Sequence, residues 1–180
     1  MTATDILKHE HQIILLVLDG VEQEAERIQE TGAVRANKIA EMVDFFRSFA
    51  DRCHHQKEEK LLFVRMQERG MPAERGPIAS MLHEHDEGRA LVSAVDEALP
   101  KAESGDPEAI TAVQNSLRTY AAFLRAHINK EDQVLFPVAD QLLTPEDQEM
   151  LVAAFDQVEA EEIGEGIHDR YHQWAHDLVA

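Results

Sequence analysis

Residues 127–136 read HINKEDQVLF, and residues 54–63 read HHQKEEKLLF. Each stretch contains His-x-x-x-Glu followed closely by a Leu-Phe pair. A second pair of related segments precedes these two stretches at nearly equal distances. LKHEHQII at residues 7–14 precedes residues 54–63, and LHEHDEGR at residues 82–89 precedes residues 127–136; both segments contain Glu-His. The chain therefore carries one pattern twice, and each copy supplies a single histidine followed by a His-x-x-x-Glu unit.

The sequence predicts helix almost throughout. Long segments rich in Ala, Leu, Glu, Gln, Lys and Arg are interrupted by Gly and Pro, and no segment shows the alternation of a β-strand. The predicted helices cover residues 4–30, 34–69, 77–100 and 107–143, followed by a short helix capped by TPED at 144–147 and a last helix after Gly166. Four long helices with short connections predict an all-α, up-down-up-down four-helix bundle with two short C-terminal helices. We expect residues 1–143 to form the bundle and residues 144–180 to form a helical extension packed on it.

Helical phase selects the residues that face the interior. On the fourth predicted helix, His127 and Glu131 continue a stripe of apolar residues spaced three and four apart. The members of this stripe are Ile110, Val113, Leu117, Tyr120, Leu124, Val134 and Val138. Burying an imidazole and a carboxylate is costly unless something compensates, and a metal ion is the natural compensation.

The repeat extends this assignment to the other helices. His85 lies in the apolar stripe of the third helix, and His11 matches it in the first copy. The stripe of the second helix passes closer to His54 than to His55, and alignment of the copies pairs His54 with His127. The six candidate metal ligands are therefore His11, His54, Glu58, His85, His127 and Glu131.

Residues at i and i+4 lie on one face of a helix, so each His-x-x-x-Glu unit can direct two ligands to one pair of cations. Imidazole and carboxylate ligands without a thiolate favour iron, manganese or zinc over copper(I) or an iron–sulfur cluster.

Other polar residues have a structural interpretation beside a functional one. We expect His9, His55 and His83 to lie off the core stripes, with a hydrogen bond to a ligand as the alternative. Cys53 is expected to be a small buried apolar residue. Arg89 either orients a glutamate or an anion near the metals or forms an ordinary salt bridge. The remaining histidines, His168, His172 and His176, are expected to flank a helix face that docks on the bundle, or else to serve as a further ligand, proton relay or lid.

Composition limits the classes of partner. The net charge of −18, from 17 basic and 35 acidic residues, disfavours binding to nucleic acid or to an anionic membrane surface. The single cysteine cannot form an internal disulfide, and neither a signal peptide nor a transmembrane segment is evident. These features favour a cytoplasmic protein.

The order His, His-x-x-x-Glu, His, His-x-x-x-Glu over residues 4–143 resembles the hemerythrin-like, or HHE cation-binding, family of four-helix bundles. The resemblance implies a non-haem centre of two iron ions, bridged by two glutamates and an oxo or hydroxo group, with manganese or zinc as possible replacements. Ferritin-like bundles instead carry Glu-x-x-His on two helices, and here the single match, Glu165 to His168, lies outside the bundle.

One departure from the family pattern bears on function. Oxygen-carrying hemerythrins have a fifth histidine through His-x-x-x-His on the third helix, but the positions four residues from His85 are Met81 and Arg89. The chain thus resembles the four-His, two-Glu variety, and this resemblance does not imply reversible oxygen transport. We expect it to bind or sense dioxygen, nitric oxide or peroxide, or to buffer iron. The alternatives are a diiron enzyme acting on peroxide or nitric oxide, with a redox partner that the sequence does not identify, and a structural metal site such as zinc.

Overall fold

The computed structural model describes residues 1–164 and 166–180, which form six helices and no β-strand. The prediction of an all-α helical bundle is confirmed. Glu165 lies outside the described residues, and with it the Glu-x-x-His match to His168.

Four long helices and two shorter ones follow one another along the chain. Helices α1, α3 and α6 are Ala3–Thr31, Gly76–Glu103 and Ile167–Val179. Helix α2 spans residues 36–68, α4 spans 107–142 and α5 spans 145–163. Among these described helices, none combines the length and the apolar character needed to cross a lipid bilayer.

Local sequence signals set several helix ends. Thr2 and Asp5 form a reciprocal capping box at the start of α1, and Thr144 and Asp147 form another at the start of α5, as predicted. Helix α1 ends at Gly32, whose φ of 67° is a left-handed conformation that glycine adopts without strain.

Helices α2 and α4 contain π-helical turns that the sequence did not predict. These segments are Phe46–His55 and Glu58–Leu62 in α2 and Glu131–Leu135 in α4. A π-helical turn is wider than an α-helical turn and is common at functional sites. It also changes the phase of the residues that follow, so the predicted core positions Val134 and Val138 were wrong: both are exposed, and Leu135 and Ala139 are buried instead.

The core consists of two apolar clusters. One includes Val17, Val21, Phe49, Leu117 and Leu124, and the other includes Leu7, Phe63, Met81, Leu135 and Phe136. Along each long helix, the candidate ligands lie between residues of the first cluster and residues of the second. The bundle therefore carries a buried polar layer between two apolar ones.

The C-terminal helices pack against both clusters. Helix α5 contributes Leu151 and Phe155 to the second cluster, and α6 contributes Ala175 and Leu178 to the first. The side chain of Leu178 lies directly against Gly20 of α1, where a Cβ atom would come within 2.6 Å of its Cδ2. Helix α6 therefore packs closely on α1 at Gly20, where any larger side chain would collide with Leu178.

Candidate metal centre

The structure brings all six predicted residues together in the polar layer. Each of them is at most 1% exposed. Four of them, His11, His54, Glu58 and Glu131, each place one ligand atom within 4.8 Å of the others. The Nε2 atoms of His85 and His127 lie 3.2 Å apart on the other side of the two carboxylates.

Each of the two glutamates faces two imidazoles from different halves of the repeat. One oxygen of Glu131 lies 3.2 Å from Nε2 of His127, and the other lies 3.2 Å from Nε2 of His11. The oxygens of Glu58 lie 3.4 Å from Nε2 of His54 and 3.3 Å from Nε2 of His85. Each carboxylate therefore directs one oxygen towards the His11–His54 side of the polar layer and the other towards the His85–His127 side.

The opposite nitrogen of every one of these imidazoles contacts a further carboxylate. The Nδ1 distances are 2.7 Å from His11 to Asp132, 2.8 Å from His54 to Glu10, 2.6 Å from His85 to Glu59 and 2.8 Å from His127 to Glu84. Because a carboxylate can only accept, Nδ1 carries a proton in each case and Nε2 is directed at the centre. Metal-binding histidines are usually oriented in this way.

Sequence reasoning missed these four carboxylates, although the repeat contained the signal. Glu10 and Glu84 directly precede the single histidines, and Glu59 and Asp132 directly follow the bridging glutamates. In each of these repeated dipeptides, one member is a candidate metal ligand and the other contacts Nδ1 of an imidazole. The sequence prediction included only the first of the two.

Two lysines at equivalent positions of the repeat pair with carboxylates that contact the imidazoles. Lys57 pairs with Glu10, and Lys130, its counterpart in the second copy, pairs with Glu84. Lys57 is fully buried and also lies 3.4 Å from Glu159. In the nearby group formed by Glu10, Glu159 and His168, the two carboxylates therefore already pair with an ammonium group.

The centre attracts positive charge. Burial alone lowers the pKa of His54, but Glu58 and Glu10 outweigh it and raise that pKa to about 10. Despite their burial and mutual repulsion, the two glutamates have pKa values held below the ordinary range by the surrounding histidines. The site is therefore a pocket of two ionised carboxylates that protons or cations must neutralise.

Unsatisfied polar atoms support a cation. Among the described residues, the buried side-chain atoms without a hydrogen-bond partner are Nε2 of His11 and both carboxylate oxygens of Glu58 and of Glu131. Buried charged oxygens without partners are very costly, and all of them point to the same place. The residues present thus fit a metal centre.

The prediction that His55 lies off the core was wrong. Its side chain is buried, and its ring stacks on that of His85 with 3.9 Å between centroids. The π-helical segment that ends at His55 widens the turn, which brings two consecutive histidines to the interior. Burial, and then the neighbouring His85, lower the pKa of His55 to about 3, so its imidazole is neutral.

The other histidines remain away from the centre. His83 and His9 are both exposed, and His9 lines a small surface cavity with His172 and His176. His168 packs near the ring of Phe49, at 5.3 Å between centroids.

Arg89 orients two carboxylates beside the site. Its guanidinium donates to Glu59 at 2.7 Å and to Asp51 at 2.8 Å, and these carboxylates contact His85 and His55 respectively. Arg89 therefore forms ordinary salt bridges and, through the one to Glu59, also orients a glutamate near the candidate ligands, so the geometry agrees with both interpretations given above. Cys53 is buried as predicted, and burial raises the pKa of its thiol to about 12.

A cavity of about 240 Å³ reaches the centre from the side of α2, α3 and α4. It is lined by His55, His85 and His127, together with Arg89 and Tyr120. This volume lies below the range of about 300–1,000 Å³ that is typical of pockets for drug-sized ligands. The cavity can accommodate a small molecule.

Comparison with known proteins agrees with this geometry. Residues 2–139 match the family described as the hemerythrin HHE cation binding domain. The chain is 25% identical to the uncharacterized proteins Rv1995 of Mycobacterium tuberculosis and Mb2018 of Mycobacterium bovis, over 92% of this chain and 64% of theirs. It is 30% identical to the iron-sulfur cluster repair protein YtfE of Salmonella typhimurium, over 73% of this chain and 60% of that protein.

The chain thus spans less than two thirds of the length of these relatives. No solved structure matches it significantly. The matched segment contains all six residues of the buried layer, from His11 to Glu131. This chain belongs to the hemerythrin HHE cation-binding domain family.

Proposed function

We propose that this protein holds two iron ions between Glu58 and Glu131 and uses them to bind or sense dioxygen, nitric oxide or peroxide, or to buffer iron. The observation that carries the proposal is the set of four unpartnered oxygens on these two buried glutamates. On this assignment His11 and His54 hold one ion, His85 and His127 hold the other, and both carboxylates bridge.

In this proposal, the protein positions the metal ligands, sets their protonation state and provides a cavity through which a small ligand reaches the ions. The carboxylates that hold Nδ1 of each imidazole keep Nε2 directed at the ions, which keeps the ligands in the required protonation state. Two adjacent iron ions, once bound, supply electrons and a place for a diatomic fragment. The cavity lined by His55, Arg89 and Tyr120 admits a small ligand.

The cavity beside the centre is of a size that suits small molecules such as dioxygen, nitric oxide or peroxide, as a binding or sensing role requires. A diiron enzyme acting on peroxide or nitric oxide is the alternative. Because the YtfE relatives are named as iron–sulfur cluster repair proteins, buffering or supply of iron belongs to the same proposal.

Metal analysis combined with absorption spectroscopy tests the metal assignment. We expect two irons per chain and a near-ultraviolet absorption in protein purified in air. Replacement of Glu131 by Gln removes one bridging carboxylate and should lower the iron content. The exposed His83 provides the matched control, since His83→Gln leaves every contact of the centre intact. A colourless protein that holds only zinc would overturn the proposal and favour a structural site.

Stopped-flow spectroscopy of the reduced iron protein tests the role. A defined spectral change with dioxygen, nitric oxide or peroxide supports binding or sensing. Sustained turnover well above that of free iron would instead favour the enzyme, and a centre inert to all three ligands would restrict the role to iron buffering.

A further inference from the structure

Three histidines outside the buried centre line one cavity between two helices. His172 and His176 of α6 and His9 of α1 border a cavity of about 200 Å³, together with the apolar side chains of Ile13 and Leu16. His9 and His176 are exposed, and His172 is half-buried. These imidazoles are therefore accessible to a ligand from solution.

The two histidines of α6 have the relative geometry of a ligand pair. They lie at i and i+4, so both project from the same face of the helix. Their ring centroids are 4.7 Å apart, and their planes are tilted by 53°. In the buried centre, the corresponding values are 4.6 Å and 56° for His11 and His54, and 4.9 Å and 63° for His85 and His127. The surface pair thus has the spacing and the tilt of both candidate ligand pairs of the centre.

Coordination of one cation by two imidazoles predicts this spacing. An imidazole nitrogen binds zinc at about 2.0–2.1 Å, and the ring centroid lies roughly 1.2 Å behind that nitrogen. Two imidazoles that meet at one ion with an angle of about 90–110° therefore have centroids roughly 4.5–5.3 Å apart. The stacked rings of His55 and His85, at 3.9 Å and 16°, do not have this geometry.

The neighbouring helix can supply a third imidazole. Helix α6 packs on α1, where Leu178 lies against Gly20, and His9 of α1 borders the same cavity as the pair. Among the described residues, His9 forms no ion pair with a carboxylate, whereas the equally exposed His83 contacts Glu87 at 3.4 Å. The side chain of His9 is therefore free to turn toward the pair, and a cation held in this way would join the two helices.

The ligand atoms select the type of cation. Among the described residues that line this cavity, there is neither a thiolate nor a carboxylate. Imidazole suits Zn²⁺, Cu²⁺ and Ni²⁺, whereas Mg²⁺ and Ca²⁺ take oxygen ligands. The net charge of −18 also raises the concentration of cations near the surface.

We propose that His9, His172 and His176 form a second metal site, which binds one divalent transition-metal cation such as Zn²⁺ and joins α6 to α1. Two histidines at i and i+4 on one helical face are a common arrangement for binding zinc. This site is separate from the buried centre and does not depend on the function proposed for it.

Equilibrium dialysis of the whole chain against Zn²⁺ tests the proposal. At a Zn²⁺ concentration that just saturates the wild type, we expect His172→Gln and His176→Gln each to bind one ion fewer than the wild type, whatever number the buried centre takes up. Glutamine keeps a polar side chain but lacks the imidazole nitrogen. The control His83→Gln replaces an exposed histidine outside the cavity and should bind the wild-type number.

His9→Gln tests the contribution of α1. Removal of one of three imidazoles should weaken Zn²⁺ binding at this site by at least about tenfold, since loss of even an outer partner of a ligand typically costs about 10- to 100-fold. A cation that binds the docked helix also stabilises it. Zn²⁺ should therefore slow amide exchange in Ile167–Val179 of the wild type, measured by mass spectrometry, more than in His9→Gln.

The outcomes separate this site from the buried centre. Circular dichroism reports whether each variant keeps its helices. Equal numbers of bound Zn²⁺ in the wild type and in folded His172→Gln would overturn the proposal, as would an unchanged Zn²⁺ affinity and unchanged protection of α6 in His9→Gln. A buried centre that takes up no metal would overturn the proposed function, but the difference of one ion between the wild type and His172→Gln would remain.

Discussion

Glu84 on α3 accepts a hydrogen bond of 2.8 Å from Nδ1 of His127 on α4. The same bond joins the equivalent residues of the first half, Glu10 and His54, also at 2.8 Å. Two helices that are adjacent in space therefore share each histidine: one carries the imidazole, and the other fixes its orientation and its proton.

Replacement of Glu84 by Gln tests the importance of this orientation. The amide removes the negative charge that strengthens the imidazole as a ligand, and loss of such a partner typically lowers metal affinity by about 10- to 100-fold. We expect this loss in a competition titration with a metal chelator. The control is Glu87→Gln on the same helix, whose side chain is exposed and contacts only His83 among the histidines. Equal affinity in the two variants would contradict the assigned role of Glu84.

The two equivalent lysines provide a comparison of buried and exposed ion pairs. Lys57→Met leaves Glu10 buried without its ammonium partner, and removal of one member of a buried pair costs about 3–5 kcal/mol. Lys130→Met breaks the matching pair at the surface, where such pairs contribute about 0–1 kcal/mol. Urea unfolding of both variants measures the difference in the free energy of unfolding. A smaller loss for Lys57→Met than for Lys130→Met would refute this ranking.

The stability of the metal-free protein should fall as the pH rises from about 7 to about 10. The pKa of His54 is about 10 in the folded protein and near its ordinary value of 6.5 in the unfolded chain. A raised pKa stabilises the fold fully below the unfolded value, and this contribution is lost as the pH rises through the folded value. Burial opposes the shift, while Glu58 and Glu10 produce it.

Urea unfolding after chelation, repeated across this pH range, measures that dependence. The variant His54→Gln should show a flatter decline, because it lacks the titrating group. The metal-bound protein should also show a flatter decline, since a cation then replaces the protons. A metal-free wild type whose stability is constant between pH 7 and 10 would contradict the expectation.

Gly20 should control the attachment of α6. A valine at this position would collide with Leu178, and overpacking of this kind costs about 1–3 kcal/mol. In Gly20→Val we expect faster amide exchange in α6, Ile167–Val179, measured by mass spectrometry, with the metal content unchanged. Glu26→Val introduces the same β-branched residue at an exposed position of α1 and serves as the control. Unchanged exchange in α6 would show that Leu178 repacks without cost.

Most of the architecture could be predicted because its signals are local. Helix ends follow from capping residues and glycines, and the helical periodicity places His127 and Glu131 inside the bundle. The repeat then transfers these positions to the first half without any further information. These signals need no knowledge of how the helices are arranged in space.

The unpredicted features depend on contacts between helices. An ideal α-helical phase cannot reveal the π-helical turns that bury His55 and expose Val134. Likewise, the partners of Nδ1 lie on different helices from the imidazoles they hold, so sequence distance gives no indication of them. Only the recurrence of acidic residues beside the ligands indicated that both members of each dipeptide matter.

The four Nδ1 contacts form a closed ring around the bundle: α1 to α4, α4 to α3, α3 to α2 and α2 back to α1. Rotation of any one helix about its axis breaks two of these bonds. The distances among the candidate ligands are therefore set by these contacts before any ion binds. A cation of unsuitable radius could change them only by breaking some of these hydrogen bonds. Discrimination among divalent ions of equal charge should therefore follow ionic size.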